Sequence, residues 1–135
     1  MSEKTLCIIK PDAVGNNFVD QINEMIQSKG LSILKSKKTN ISSEIAKQFY
    51  AEHSKKPFFN ELVDFITSGP VVVQILEGDS CIRTYRSLMG ATNPEEAEEG
   101  TIRKKFAKSI SKNAVHGSDS PESADREIEI MSALF

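Results

Sequence analysis

Apolar residues along this chain recur at two periods, close to two and close to three and a half, and each change of period marks a new element. The run Thr5 to Lys10 (Thr-Leu-Cys-Ile-Ile-Lys) is short, apolar and halted by Pro11, so it predicts a buried strand that delivers Lys10 at its end. After a turn, Phe18, Val19, Ile22, Met25 and Ile26 follow helical spacing, and Gly30 stands where a C-terminal cap belongs. Leu31 to Thr39 begins with Leu31 and Ile33 and continues in Ser and Lys, the pattern of a strand whose far end lies in solvent. Ser42 or Ser43 caps a helix carrying Ile45, Ala46, Phe49 and Tyr50. A second helix after Pro57 carries Phe59, Leu62, Val63 and Ile66 and stops at Gly69-Pro70.

Val71 to Leu76 is the strongest strand, and its near-continuous hydrophobicity predicts a central position covered on at least one face. Cys81, Tyr85, Leu88 and Met89 form a helical stripe closed by Gly90. Ala91 to Lys112 is polar and reads as one long loop, which in a small domain points to function. A short segment near Ala114-Val115 leads to the last helix, with Ser120 as cap, Pro121 in its first turn, and Ala124, Ile128, Met131 and Phe135 on one face. The order βαββαβ predicts a single α+β domain over residues 1–135, with helices against one sheet.

Composition narrows the function classes. With 39% hydrophobic and 27% charged residues the chain matches globular proteins, not disordered ones, and no apolar run is long enough for a membrane span or signal segment. A cytoplasmic protein is expected. Cys7 and Cys81 lack metal-ligand spacing and read as reduced core residues. A net charge of −2 argues against nucleic acid as the primary partner, so any anion site must be local.

The most informative segment is Asn113-Ala114-Val115-His116-Gly117-Ser118-Asp119, an imidazole beside glycine just before a helix start. Near neutral pH a histidine offers an unprotonated ring nitrogen able to attack phosphorus, and the adjacent glycine suggests bulk removed for access. A lone loop histidine is nevertheless more often plain polar surface. Glu127, off the apolar stripe of the last helix, can hold the imidazole in one tautomer or simply be solvated among Glu122 and Glu129. Ser118 can bridge the two or cap the turn. Lys10, Arg86, Thr92 and Arg103 together supply what an oxyanion needs, although each alone reads as surface.

These fragments in order resemble the nucleoside diphosphate kinase family. They are Lys10-Pro11-Asp12, Tyr50 before Ala51-Glu52-His53, Pro57-Phe58-Phe59, Ser68-Gly69-Pro70-Val71, Gly90-Ala91-Thr92-Asn93-Pro94, Gly100-Thr101-Ile102-Arg103 and the Asn113 to Asp119 segment, spanning nearly the whole chain. The resemblance implies a ferredoxin-like fold with an antiparallel sheet, and transfer of a γ-phosphate between nucleoside triphosphate and diphosphate through phospho-His116. It implies that Glu127 and Ser118 orient His116. Lys10, Tyr50, Arg86, Thr92, Arg103 and Asn113 then hold phosphates and ribose, while Phe58 stacks on the base with Leu62 and Ile110 beside it. Mg²⁺ is implied as a cofactor held by nucleotide phosphates and water, with no protein cage. A homo-oligomer built from dimers, tetramer or hexamer, is also implied. The chain departs from the family at Gly15-Asn16-Asn17, at Asp20, at Tyr85 and in the acidic loop Glu95 to Glu99.

Three other readings fit less well. A binding module without catalysis would lack a nucleophile or phosphate residue, yet His116, Lys10 and Arg103 are all present. An RNA-binding sheet presents aromatic residues, and the strands at Leu6 to Ile9 and Val71 to Leu76 have none. A metal-dependent hydrolase needs ligand spacing around His53 or His116, and neither shows it.

Overall fold

Successive side chains of a strand point to opposite faces, so a strand with apolar residues on both faces must be covered on both sides. That is the case here. The computed structural model describes residues 2–109 and 112–135. Strand β1 (Ser2–Ile9) sends Cys7 and Ile9 into one core and Leu6 and Ile8 into another. Strand β3 (Val71–Asp79) divides likewise, with Val72 and Leu76 on the first side and Val71 and Val73 on the second. Each such aliphatic side chain contributes about 1.5–3 kcal/mol when fully buried.

The remaining strands are β2 (Ser32–Thr39) and β4 (Val115–Gly117), and the sheet order is β2-β3-β1-β4 with every pairing antiparallel. This is the ferredoxin-like arrangement. The two most apolar strands are central, as their composition requires, and β2, polar beyond Leu34, lies at an edge. Helices α2 (Val19–Ser28) and α5 (Cys81–Met89) cover the first face through Ile22, Ile26, Tyr85 and Leu88. Helices α3 (Ser43–Phe49), α4 (Phe59–Ile66) and α7 (Pro121–Met131) cover the second through Ala46, Phe49, Val63, Ile66 and Met131. The pair α3 and α4 is an insertion between β2 and β3 that turns a one-sided layer into a sandwich.

Caps fall where small polar residues stand: Ser42 Oγ accepts from the Ile45 amide at 3.2 Å and Ser120 Oγ from that of Ser123 at 3.1 Å. Three local expectations need correction. Pro11–Gly15 is a short helix, α1, because proline at its first position has its φ already set and gives up an amide the helix does not use. The stretch 91–112 is not one loop: Ile102–Phe106 forms α6, capped by Thr101, with Ile102 and Phe106 buried one turn apart. Phe135 lies beyond α7, after the 3-10 turn Ser132–Leu134, and reaches the second core from there.

Candidate active site

Strand β4 sits at the sheet edge opposite β2 and pairs with β1 through Cys7 with Gly117, Ile8 with His116 and Ile9 with Val115. Alternation sends Val115 toward α5 and His116 to the other face, toward α3 and α7. The Gly117 backbone presses on α5: a Cβ there would lie 2.7 Å from Tyr85 Cδ2 and 2.8 Å from Met89 Cε. Gly117 is therefore required by close packing on α5, and it also lines the cavity beside the imidazole.

His116 Nε2 lies 2.8 Å from Glu127 Oε1, and Ser118 Oγ donates to the same oxygen at 2.8 Å. Glu127 is buried, which excludes the solvated reading of its helix position. Ser118 does not stand between the other two. It holds the carboxylate and accepts the Leu6 amide at 3.2 Å, extending the β1–β4 pairing by one side chain. Phe49 closes the other side of the imidazole with an edge-on contact, ring centroids 4.8 Å apart. Burial holds the His116 pKa below its ordinary value and outweighs the opposing pull of Glu127, with Lys10 and Arg103 adding to the depression. Burial thus favours the neutral ring. With Glu127 accepting the Nε2 proton, the lone pair is on Nδ1.

Ahead of the histidine the backbone makes a tight turn. Ala114 has φ 73° and the Val115 amide donates to Asn113 O at 2.8 Å, a γ-turn of the strained, positive-φ kind. A non-glycine residue held there costs about 1–3 kcal/mol, which its surroundings must supply. Arg103 is one brace: Nε donates to Asn113 O (3.3 Å), Nη1 to Gly90 O (3.0 Å) and Nη2 to Val115 O (3.0 Å). Lys10 is another, its amide donating to Ala114 O at 2.8 Å and its ammonium to Asn113 Oδ1 at 2.9 Å. Burial, reinforced by the Arg103 charge, lowers the Lys10 pKa to about 8.

A cavity of about 670 Å³ opens over this group. Lys10, Arg86, Arg103, Thr92 and Asn113 line it, together with His116 and Glu127. Tyr50, Phe58 and Leu62 line it as well. Phe58 is 42% exposed at the rim while Phe59 packs on the second core, so Phe58 is not core filling. Ser118 lies behind the cavity wall, and Ile110 falls outside the described residues. The structure thus gathers all the other expected site residues around one opening.

Sequence reasoning missed several residues. His53, noted in the sequence only for its lack of metal-ligand spacing, lines the cavity with its ring 5.6 Å from that of Phe58. Asp119 and Arg126 line it too, and Arg126 ties α7 to the end of α3 by donating to Gln48 O at 2.8 Å. For Asp119 the signal was present in the segment containing His116; for Arg126 the helical spacing from Glu127 gives none. Among the described residues no group of three or more His, Cys, Asp or Glu side chains is arranged to hold a metal ion, and no helix is long and apolar enough to cross a membrane.

Fold and site define an α+β protein with one tethered imidazole set among lysine and arginine side chains at a cavity. A family model described as nucleoside diphosphate kinase matches residues 3–133. The nucleoside diphosphate kinase of Halorhodospira halophila is 55% identical over 127 residues, 94% of this chain and 90% of that protein. That of Campylobacter curvus is 56% identical over 131 residues, 97% of this chain and 96% of its own length. The structure of the Aquifex aeolicus nucleoside diphosphate kinase superposes with a TM-score of 0.95 at 41% identity, covering 97% of this chain and 95% of that one. A halophilic nucleoside diphosphate kinase from Halobacterium salinarum, in complex with CDP, superposes at 0.92 with 40% identity, covering 96% and 87%. The chain belongs to the nucleoside diphosphate kinase family.

Proposed function

We propose that this chain transfers the γ-phosphate of a nucleoside triphosphate to a nucleoside diphosphate in two half-reactions through phospho-His116. The observation that carries this is the 2.8 Å contact of His116 Nε2 with Glu127, which leaves the Nδ1 lone pair for a cavity lined with cations. Nδ1 attacks the γ-phosphorus, a P–N bond forms, and the bond to the bridging oxygen breaks so that the diphosphate leaves with that electron pair. Imidazole cannot carry a second proton during the attack without losing its nucleophile, which the depressed pKa guards against. A second diphosphate then takes the phosphoryl group by the reverse steps.

Lys10, Arg103 and Arg86 stabilise charge spread over the transferring oxygens. Thr92, Asn113 and Tyr50 hold the remaining phosphates and ribose. Phe58 stacks on the base, with Leu62 and Ile110 beside it. The cations of the lining would take up phosphate oxygens; Mg²⁺ would enter with the nucleotide, held by its phosphates and by water, and would supply further charge neutralisation during transfer. We place the enzyme in the cytoplasm, which agrees with its two free, buried thiols. A homo-oligomer built from dimers is supported by edge strand β2, where Leu34, at a break in register, is 46% exposed. Whether those dimers form tetramers or hexamers is read from sedimentation of the purified chain.

The test is labelling with Mg²⁺ and γ-labelled nucleoside triphosphate. Wild type should retain acid-labile label, and His116→Ala should lose label and turnover but still bind nucleotide. Turnover by a contamination-free His116→Ala preparation would overturn the assignment.

A further inference from the structure

The γ-turn at Ala114 has one brace that does not face the cavity. Asp12, in the first turn of α1, accepts the Ala114 amide on Oδ2 at 3.1 Å. Lys10 and Arg103 also touch this turn, but both line the cavity, so their removal would take away phosphate ligands as well as support. Asp12 lies outside that lining.

What depends on the turn is the position of two functional groups. Asn113 precedes Ala114 and receives the Lys10 ammonium, and His116 follows it by two residues on a strand of three. Pro11 sets the start of α1 directly after Lys10, whose extended backbone (φ −77°, ψ 165°) turns the carboxylate back toward β4. Asp12 Oδ1 is buried and has no hydrogen-bond partner among the described residues. Burial accordingly pushes the Asp12 pKa up, against the pull of the backbone amides and Lys10. The amides of Asp12, Ala13 and Ala114 all favour its charged form, and of these only Ala114 belongs to the turn before β4.

We propose that Asp12 is a positioning residue for phosphoryl transfer: by accepting the Ala114 amide it holds the positive-φ turn that aims Asn113 and His116 at the substrate phosphate. The proposal rests on the phosphohistidine reading. Its chemistry is a hydrogen bond to a strained backbone, so an amide oxygen should serve in place of the carboxylate, and a residue at ease with φ near 73° should need the brace less.

The experiment follows His116 labelling in a single turnover with saturating Mg²⁺ and nucleoside triphosphate, per folded molecule, alongside thermal unfolding. Asp12→Ala should slow labelling by about 10²-fold, the scale of a small misplacement of reacting groups. Asp12→Asn should stay within about fivefold of wild type, because its amide oxygen still accepts. Asp12→Ala/Ala114→Gly should recover at least about tenfold of the loss, since glycine adopts positive φ without strain. Undiminished labelling by Asp12→Ala, an Asp12→Asn variant as slow as Asp12→Ala, or a double variant no faster than the single one would each overturn the proposal. Amide exchange in the wild type decides even if Asp12→Ala does not fold: Ala114 must be protected, and exchange at an unbonded rate would overturn it. Wild type that takes no label at all counts against the phosphohistidine reading, not against Asp12.

Discussion

The phenyl ring of Phe49 stands edge-on to the imidazole of His116, at 76° between planes and 4.8 Å between centroids. With Glu127 at Nε2, the ring is held by a hydrogen bond at one end and by packing along its side. Glu127→Ala removes the hydrogen bond and frees the imidazole to change tautomer. We expect kcat to fall by about 10²-fold with nucleotide affinity nearly unchanged. A rise in KM with kcat preserved would assign Glu127 to binding instead.

Lys10 gives activity and stability opposite responses to alkali. The ammonium is useful only while protonated, so kcat/KM for the free enzyme should decline as pH rises through about 8. Stability moves the other way. Because the folded pKa is lowered from 10.5 to about 8, the unfolded chain binds the extra proton in that window, and this residue's contribution to unfolding free energy rises with pH there. Lys10→Met removes both effects. Denaturant titrations from pH 7 to 10.5 should show the variant more stable at the low end and its advantage shrinking as pH rises; a constant gap would rule this out.

Gly117→Ala puts a methyl group within 3 Å of Tyr85 and Met89. Overpacking of this kind costs about 1–3 kcal/mol, and here the neighbours are the fully buried Tyr85 ring and the end of the buried Met89 side chain. Thermal unfolding should show a lowered midpoint. Activity should fall too, since relief by shifting β4 moves His116. An unchanged midpoint with normal kcat would mean α5 yields without cost.

Phe58 offers a face and no hydrogen-bond pattern, so base selection should be shallow. Loss of an apolar contact is worth about 1–3 kcal/mol, whereas rejection beyond roughly 10⁴-fold needs polar readout. Phe58→Ala should raise KM for adenine, guanine, cytosine and uracil diphosphates together, with little change in unfolding midpoint because the ring is 42% exposed. A midpoint drop at constant KM would make it a structural residue after all.

The sequence carried most of the fold because its signals were strong and local. Leu6 to Ile9 is apolar at every position and Val71 to Leu76 at all but Gln74, and caps such as Ser42 and Ser120 stand at helix starts. Short elements escaped it. Five residues in α1 or α6 make barely one turn, so periodicity has little to register, although Thr101 with Ile102 and Phe106 was a readable cap and stripe. At the site, residue types named the chemistry but not the division of labour. That Ser118 serves Glu127, that Gly117 serves Tyr85, and that Asp12 reaches Ala114 across 102 positions are facts of tertiary contact. No local pattern encodes them.

Strand β4 has three residues, and adjacent positions answer to opposite sides of the molecule. A slip of one residue against β1 would turn Gly117 or Val115 toward Glu127 and drive the imidazole into Tyr85. Chemistry and core would fail in the same event. The strand therefore admits no intermediate grade of misfolding that keeps the nucleophile roughly in place, and changes of length in the segment leading to it are tolerable only if the pairing of Ile8 with His116 survives them.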